Sequence, residues 1–155
     1  MGSPKPVRSW SQYSLYMKCP QLFYYQYIDR SVIRKASFPL HVGSSVHLGH
    51  EFLCKKKLEG KEVTLKEVKE EEEVYWESKK EEFSQENLST FLLEKTKVMS
   101  YVETYFHYFV NNDITPLHTE KDVLWEPKGY NFIIRGIIDR IDADHTLVDL
   151  KTSKR

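Results

Sequence analysis

The 155-residue sequence predicts an α/β (α+β) protein in which N-terminal helices precede a three-stranded β-meander. Two observations carry this prediction. Up to about residue 110, apolar residues recur at spacings of three and four; beyond Pro116 the pattern becomes alternating and is broken by turn residues. A hydrophobic fraction of 40%, with 14% aromatic residues, suffices for a core and excludes wholesale disorder. The length fits one domain, or a small domain with a helical appendage.

Residues 9–28 read as two short helices around a break. Ser9 or Ser11 can cap the first, which presents Trp10, Tyr13, Leu15 and Tyr16. Pro20 suits the first position of the second, followed by Leu22, Phe23, Tyr24, Tyr27 and Ile28. A third helix runs from about Leu40 to Leu58, carrying Val42, Val46, Leu48, Phe52 and Leu53, with Gly60 as its C-terminal stop. An acidic helix follows, then an apolar one from about Leu88 to Val110 whose Phe91, Leu92, Val98, Val102, Tyr105, Phe106 and Phe109 are expected in the core. Residues 117–126 and 130–142 read as strands joined by the turn Pro127-Lys128-Gly129. A second turn, Asp142-Ala143-Asp144-His145, leads to a third strand at Thr146–Lys151. The expected organisation is a tail at 1–8 and one domain at 9–155, with a helical part at 9–112 and strands at 117–151. Internal repeats are lacking.

The formal net charge of zero hides an uneven distribution. Residues 1–60 hold nine Lys/Arg against three Asp/Glu, residues 61–86 five against ten, and residues 87–155 nine against ten. Within the acidic block, Glu62–Lys66, Lys66–Glu70 and Lys69–Glu73 fall at i,i+4 and Glu77–Lys80 at i,i+3, which suits a solvated helix face. A DNA-mimicking or partner-repelling role is the alternative. Lys55, Lys56, Lys57, Arg30, Arg34 and Lys35 are either phosphate contacts or plain solvated residues. No apolar run approaches the roughly 18 residues of a membrane helix, and no apolar leader opens the chain, so no membrane partner is expected. Two cysteines do not make a disulfide framework, and a reduced, cytoplasmic setting is the default.

The informative segment is Gly136-Ile137-Ile138-Asp139, the turn after it, and Val148-Asp149-Leu150-Lys151-Thr152. Alternation places Asp149 and Lys151 on one strand face, and the hairpin can bring Asp139 near Asp149. Carboxylates converging on adjacent strands beside a lysine suit a hard divalent cation such as Mg²⁺, which can activate water and stabilise a phosphodiester transition state. The same pattern also describes two exposed turn aspartates and an edge lysine. His47 alone reads as a satisfied helix histidine, and His50 and Cys54, four residues apart, suggest zinc but lack a second pair of ligands.

The arrangement Asp139…Asp149-Leu150-Lys151 resembles the Asp…(Asp/Glu)-X-Lys core of the PD-(D/E)XK nucleases. Gly136-Ile137-Ile138-Asp139 and Lys151-Thr152 resemble the RecB-like exonuclease branch, related to the AddB-type and CRISPR-associated nucleases. Ser9-Trp10-Ser11-Gln12-Tyr13, followed by Cys19-Pro20-Gln21-Leu22-Phe23-Tyr24-Tyr25, resembles the opening helices of that branch. Gly43-Ser44-Ser45-Val46-His47 resembles its Gly-X-X-X-His motif, and Glu120 matches a commonly acidic place in the first strand. The resemblance runs from about Ser9 to Thr152 and implies a restriction-endonuclease-like core.

It further implies a Mg²⁺- or Mn²⁺-dependent deoxyribonuclease in which Asp139 and Asp149 ligate the metal, with the Leu150 carbonyl and His47 beside them. Lys151 would position the water, and Glu51 or Glu120 would support the site. DNA is the implied substrate, and exonuclease action in repair, recombination or phage DNA processing the implied role. The family's next helix, bearing a Gln and a Tyr, has no counterpart before Arg155. The chain is therefore expected to be C-terminally incomplete, with a helicase or a further nuclease segment as possible partner. A catalytically inactive nucleic-acid-binding or assembly module is the alternative, and a purely structural helical protein a third. Some relatives hold an iron–sulfur cluster on four cysteines; Cys19 alone cannot supply one, and a small buried thiol before Pro20 is expected instead.

Overall fold

The structure, a computed structural model, describes residues 4–32, 37–83 and 87–152, so Arg34, Lys35 and Glu86 lie outside the described residues. The chain divides into two compact units: residues 1–35 with 122–138, and residues 36–121 with 139–155.

The first unit opens with a strand absent from the sequence reading, β1 (Val7–Ser9). It follows directly with α1 (Trp10–Lys18) and α2 (Pro20–Phe23), which continues into a π-helical turn at Tyr24–Ile28. Ser9 caps α1 through a capping box: its hydroxyl accepts from the Gln12 N–H at 3.3 Å, and Gln12 Oε1 accepts from the Ser9 N–H at 3.1 Å. Cys19 breaks the two helices and caps the second, its sulfur accepting from the Leu22 N–H at 3.4 Å. Pro20 occupies the first turn, where its missing N–H costs nothing. Against expectation, Cys19 is exposed. Its role as cap places the sulfur at the helix entrance rather than beneath it.

Strands β2 (Pro116–Trp125) and β3 (Ile133–Asp142) run through both units. In the first, β1 pairs parallel with the start of β3, Val7 opposite Ile133 and Ser9 opposite Arg135. A parallel strand thus joins the predicted strands, and two of its three residues, Val7 and Arg8, come from the expected tail. Arg135 Nε donates to Asp122 at 2.9 Å across β3 and β2. The turn between these strands closes through the Tyr130 N–H to the Pro127 carbonyl, with Gly129 at φ +84°, a region that favours glycine.

The second unit holds the core. Helices α3 (Phe38–Leu58), α4 (Leu65–Lys79) and α5 (Leu88–Asn111) meet around Val42, Val46, Leu53, Val68, Trp76, Phe91, Val98 and Val102. Helix α3 ends as expected: the Gly60 N–H reaches the Lys57 carbonyl, the Lys61 N–H reaches that of Lys56, and Gly60 adopts φ +69°. Thr64 and Glu67 form a capping box at the start of α4. Leu92, expected in the core, is exposed.

The solvated reading of α4 holds for Lys66–Glu70 at 3.6 Å and Lys80–Glu77 at 3.3 Å. Other charges on it reach α5: Lys69 pairs with Glu103 at 2.7 Å, and Glu73 with Lys95. Glu72 departs from that reading altogether. It is fully buried between Val68 and Trp76, and it accepts from the Ser45 hydroxyl, which in turn accepts from Trp76 Nε1 at 2.9 Å.

β4 is much shorter than expected, Leu147–Val148 alone, pairing antiparallel with β3 at Arg140↔Val148 and Ile141↔Leu147. The cause lies in the next residue but one. The Leu150 N–H donates to the Asp139 carboxylate at 2.5 Å, and its carbonyl lies 3.2 Å from His47 Nε2. Side chains have taken the two backbone groups that a longer strand would have placed in the ladder.

Candidate metal centre

All parts of the site belong to the second unit. His47 projects from the middle of α3 and Asp139 from β3, with His47 Nδ1 3.4 Å from Asp139 Oδ1. Glu120 reaches them from β2, where its own backbone takes φ +46°, an uncommon conformation for a residue with a side chain. One donor atom from each of His47, Glu120 and Asp139 lies within 4.8 Å of the others. Asp139 is buried, and the other two are half-buried. Thr119 Oγ1 donates to the Asp139 carbonyl at 3.2 Å and ties β2 to β3 beside the group.

The electrostatics suit a cation. Burial raises the Glu120 carboxyl above its ordinary range, and the neighbouring Asp139 and Glu51 push it the same way. A divalent ion would relieve that repulsion. One imidazole and two carboxylates, with the Leu150 carbonyl close by, form a donor set that Mn²⁺ and Mg²⁺ both accept. An open cleft of about 500 Å³ borders the site, lined in part by Gly43, Ser44, His47, Leu48, Glu51 and Glu120, so a substrate has access.

Of the residues the sequence singled out, the structure therefore brings together His47, Glu120, Asp139 and Leu150. Glu51 lines the same cleft but pairs with Lys55 at 2.5 Å. Asp149 and Lys151 pair with each other at 2.7 Å on the exposed surface, and Asp149 stands outside the converging group. Of the candidate phosphate contacts, Lys57 pairs with Asp113 at 3.2 Å and Lys56 sits 5.2 Å over the Phe52 ring. His50 and Cys54 are 3.7 Å apart, yet no third ligand joins them among the described residues.

Sequence reasoning missed the polar contacts of Arg140, which is buried and meets the half-buried Tyr105 and Asp142. The signal available for Arg140 was only its place next to Asp139. The Cys54 thiol, fully buried, is pushed up to about 12 by that burial. We expect iodoacetamide to label one thiol per native chain, at Cys19, and both after denaturation, read by peptide mass spectrometry. Fast native labelling of Cys54 would contradict this packing.

A histidine and two carboxylates converging beside a mixed sheet define a candidate divalent-metal centre of the kind that supports nuclease-type chemistry. The chain belongs to the PD-(D/E)XK nuclease superfamily, whose family model matches residues 8–155. No curated protein and no solved structure matches the chain significantly. Among the described residues, no helix is long and apolar enough to cross a membrane.

Proposed function

We propose that the chain is a metal-dependent deoxyribonuclease domain of the RecB-like branch, acting on DNA in repair, recombination or phage DNA processing in the cytoplasm. The observation that carries this reading is the convergence of His47, Glu120 and Asp139 at an open cleft in a chain of a nuclease superfamily. Mg²⁺ or Mn²⁺ held there by these three side chains and the Leu150 carbonyl would supply an acidified water and charge stabilisation for a phosphodiester in the cleft.

The protein's own residues prepare that chemistry. Asp139 fixes the Leu150 backbone through its N–H, which holds the Leu150 carbonyl on His47. Lys151 would direct the attacking water and offset charge on the phosphate oxygens, while Asp149 would add a further carboxylate. Both roles require the Asp149–Lys151 pair to open. An exposed pair of this kind contributes little stability, so opening it costs little. A helicase or a further nuclease segment is the proposed partner.

The test is cleavage of single- and double-stranded DNA with Mn²⁺ or Mg²⁺, comparing wild type with Asp149→Ala and Lys151→Ala. Each variant is expected to lose on the order of a hundredfold or more in rate. Identical background cleavage by wild type and Asp149→Ala would remove the catalytic claim. A second reading, an inactive nucleic-acid-binding or assembly module, draws on the position of Asp149 and Lys151 outside the converging group. It predicts salt-dependent DNA binding with no metal-dependent turnover.

A further inference from the structure

Behind the metal centre lies a polar cluster, built on the buried Arg140 and His50, to which the reaction assigns no task. Arg140 follows Asp139 on β3 and is only 4% exposed. Its guanidinium is held from three elements. Nη1 donates to the Tyr105 hydroxyl of α5 at 2.6 Å and lies 3.5 Å from His50 Nε2 of α3. Nη2 donates to Asp142 at 3.0 Å, and Nε lies 2.8 Å from the other oxygen of the same carboxylate. The Tyr105 and His50 rings meet edge to face, with centroids 5.1 Å apart.

The spacing is the telling feature. Consecutive residues of β3 reach successive turns of α3: Asp139 meets His47 and Arg140 meets His50, three residues further on. The strand is thus fastened to the helix at two rungs, one belonging to the metal centre and one fully buried behind it. A desolvated arginine is expensive unless it is paired and hydrogen-bonded, and a fork held at several points has one low-energy position. The second rung therefore sets where β3 sits along α3, and so the distance between the His47 imidazole and the Asp139 carboxylate.

We infer that Arg140, clamped by Asp142, Tyr105 and His50, is a positioning residue that fixes the histidine-to-carboxylate spacing of the metal centre. The inference rests on the reading of His47, Glu120 and Asp139 as metal ligands. Arg140 touches none of the reacting groups; it acts through the β3 backbone. Ligand sets misplaced by a fraction of an ångström lose affinity without losing their donors, as expected of outer partners of metal sites generally.

The test uses the whole chain with two readouts. Mn²⁺ binding is measured calorimetrically on wild type, Tyr105→Phe, Arg140→Lys and Arg140→Met. Amide exchange of Leu150, whose N–H donates to Asp139, is followed without metal and compared with Val98 in the α5 core. Tyr105→Phe keeps the packed ring and removes only the hydroxyl. It is expected to weaken Mn²⁺ three- to tenfold and to speed exchange at Leu150 but not at Val98. Arg140→Met is expected to weaken Mn²⁺ more than tenfold, with Arg140→Lys recovering part of the loss.

Wild-type affinity and unchanged Leu150 protection in folded Tyr105→Phe and Arg140→Met would overturn the inference. If Arg140→Met does not fold, the Tyr105→Phe pair of measurements decides alone. Should wild type itself fail to bind Mn²⁺, the metal-centre reading falls, while a selective loss of Leu150 protection still supports the positioning role.

Discussion

Asp139→Asn is expected to lower metal-dependent cleavage on the order of a thousandfold while leaving the helical core intact. Asp139 is the most buried of the three converging side chains and the one with the most tasks. One carboxylate oxygen faces His47 at 3.4 Å, and the other accepts from the Leu150 N–H at 2.5 Å. Asparagine keeps a carbonyl for Leu150 but brings no negative charge to a cation. Losing a single preorganised electrostatic contact already reduces rates about a hundred- to a thousandfold, and here a ligand goes with it. Calorimetry with Mn²⁺ should show the affinity falling alongside the rate. Unchanged turnover in a folded variant would mean that chemistry, if present, happens elsewhere.

The second large effect concerns stability and its dependence on pH. Burial raises the Glu72 carboxyl from 4.5 to about 7, against the opposing bond from Ser45. The folded protein therefore holds this proton more tightly than the unfolded chain does. Stability from this group is greatest below pH 4.5 and is lost as the pH rises towards 7.

His50 behaves in the opposite sense. Burial, with Arg140 second, lowers its imidazole from 6.5 to about 4, so its contribution is full above pH 6.5 and is lost as the pH falls towards 4. The two slopes oppose each other across nearly the same window, and the wild-type profile is expected to be shallow there. Glu72→Gln removes one slope. Relative to wild type, the variant should gain about 2–3 kcal/mol between pH 5 and pH 8, from the linkage of a shift of this size. Urea unfolding at both values measures it. Parallel profiles for variant and wild type would show that Glu72 is ionised in the folded state across this range.

Gly49 belongs to the same packing. A Cβ at that position would lie 2.6 Å from Glu72 Oε1, so the glycine on α3 makes room for the buried carboxyl from α4. This explains a glycine in mid-helix that propensity alone disfavours.

The helices and their ends were legible because caps and stops act locally. Ser9, Pro20 and Gly60 each sit where short-range stereochemistry requires them. Asp139 was legible from strand alternation and its hairpin, whereas His47 and Glu120 were legible only through the resemblance, since a helix histidine and a distant acid share no local pattern with it. Three features escaped for physical reasons. β1 is three residues long, too short for alternation to register, and its place depends on parallel pairing with residues more than a hundred positions away.

The third meander strand was overread because alternation continues through Leu150, while the side chains of Asp139 and His47 claim the backbone groups needed for pairing. Glu72 was taken with its acidic neighbours, although Val68 and Trp76, one helical turn to either side, mark the inward stripe on which it lies. Net charge described the helix as a whole and concealed the one carboxyl that faces the core.

The backbone at Glu120 has an evolutionary consequence. Holding a glutamate at φ +46° costs about 1 kcal/mol or more compared with glycine, which takes that conformation freely. Selection for stability and selection for a ligand therefore pull in opposite directions at this one position. A lineage that no longer needed the carboxylate would gain stability by drifting to glycine there, and such drift would record the retirement of the site even while the rest of the sheet stayed the same.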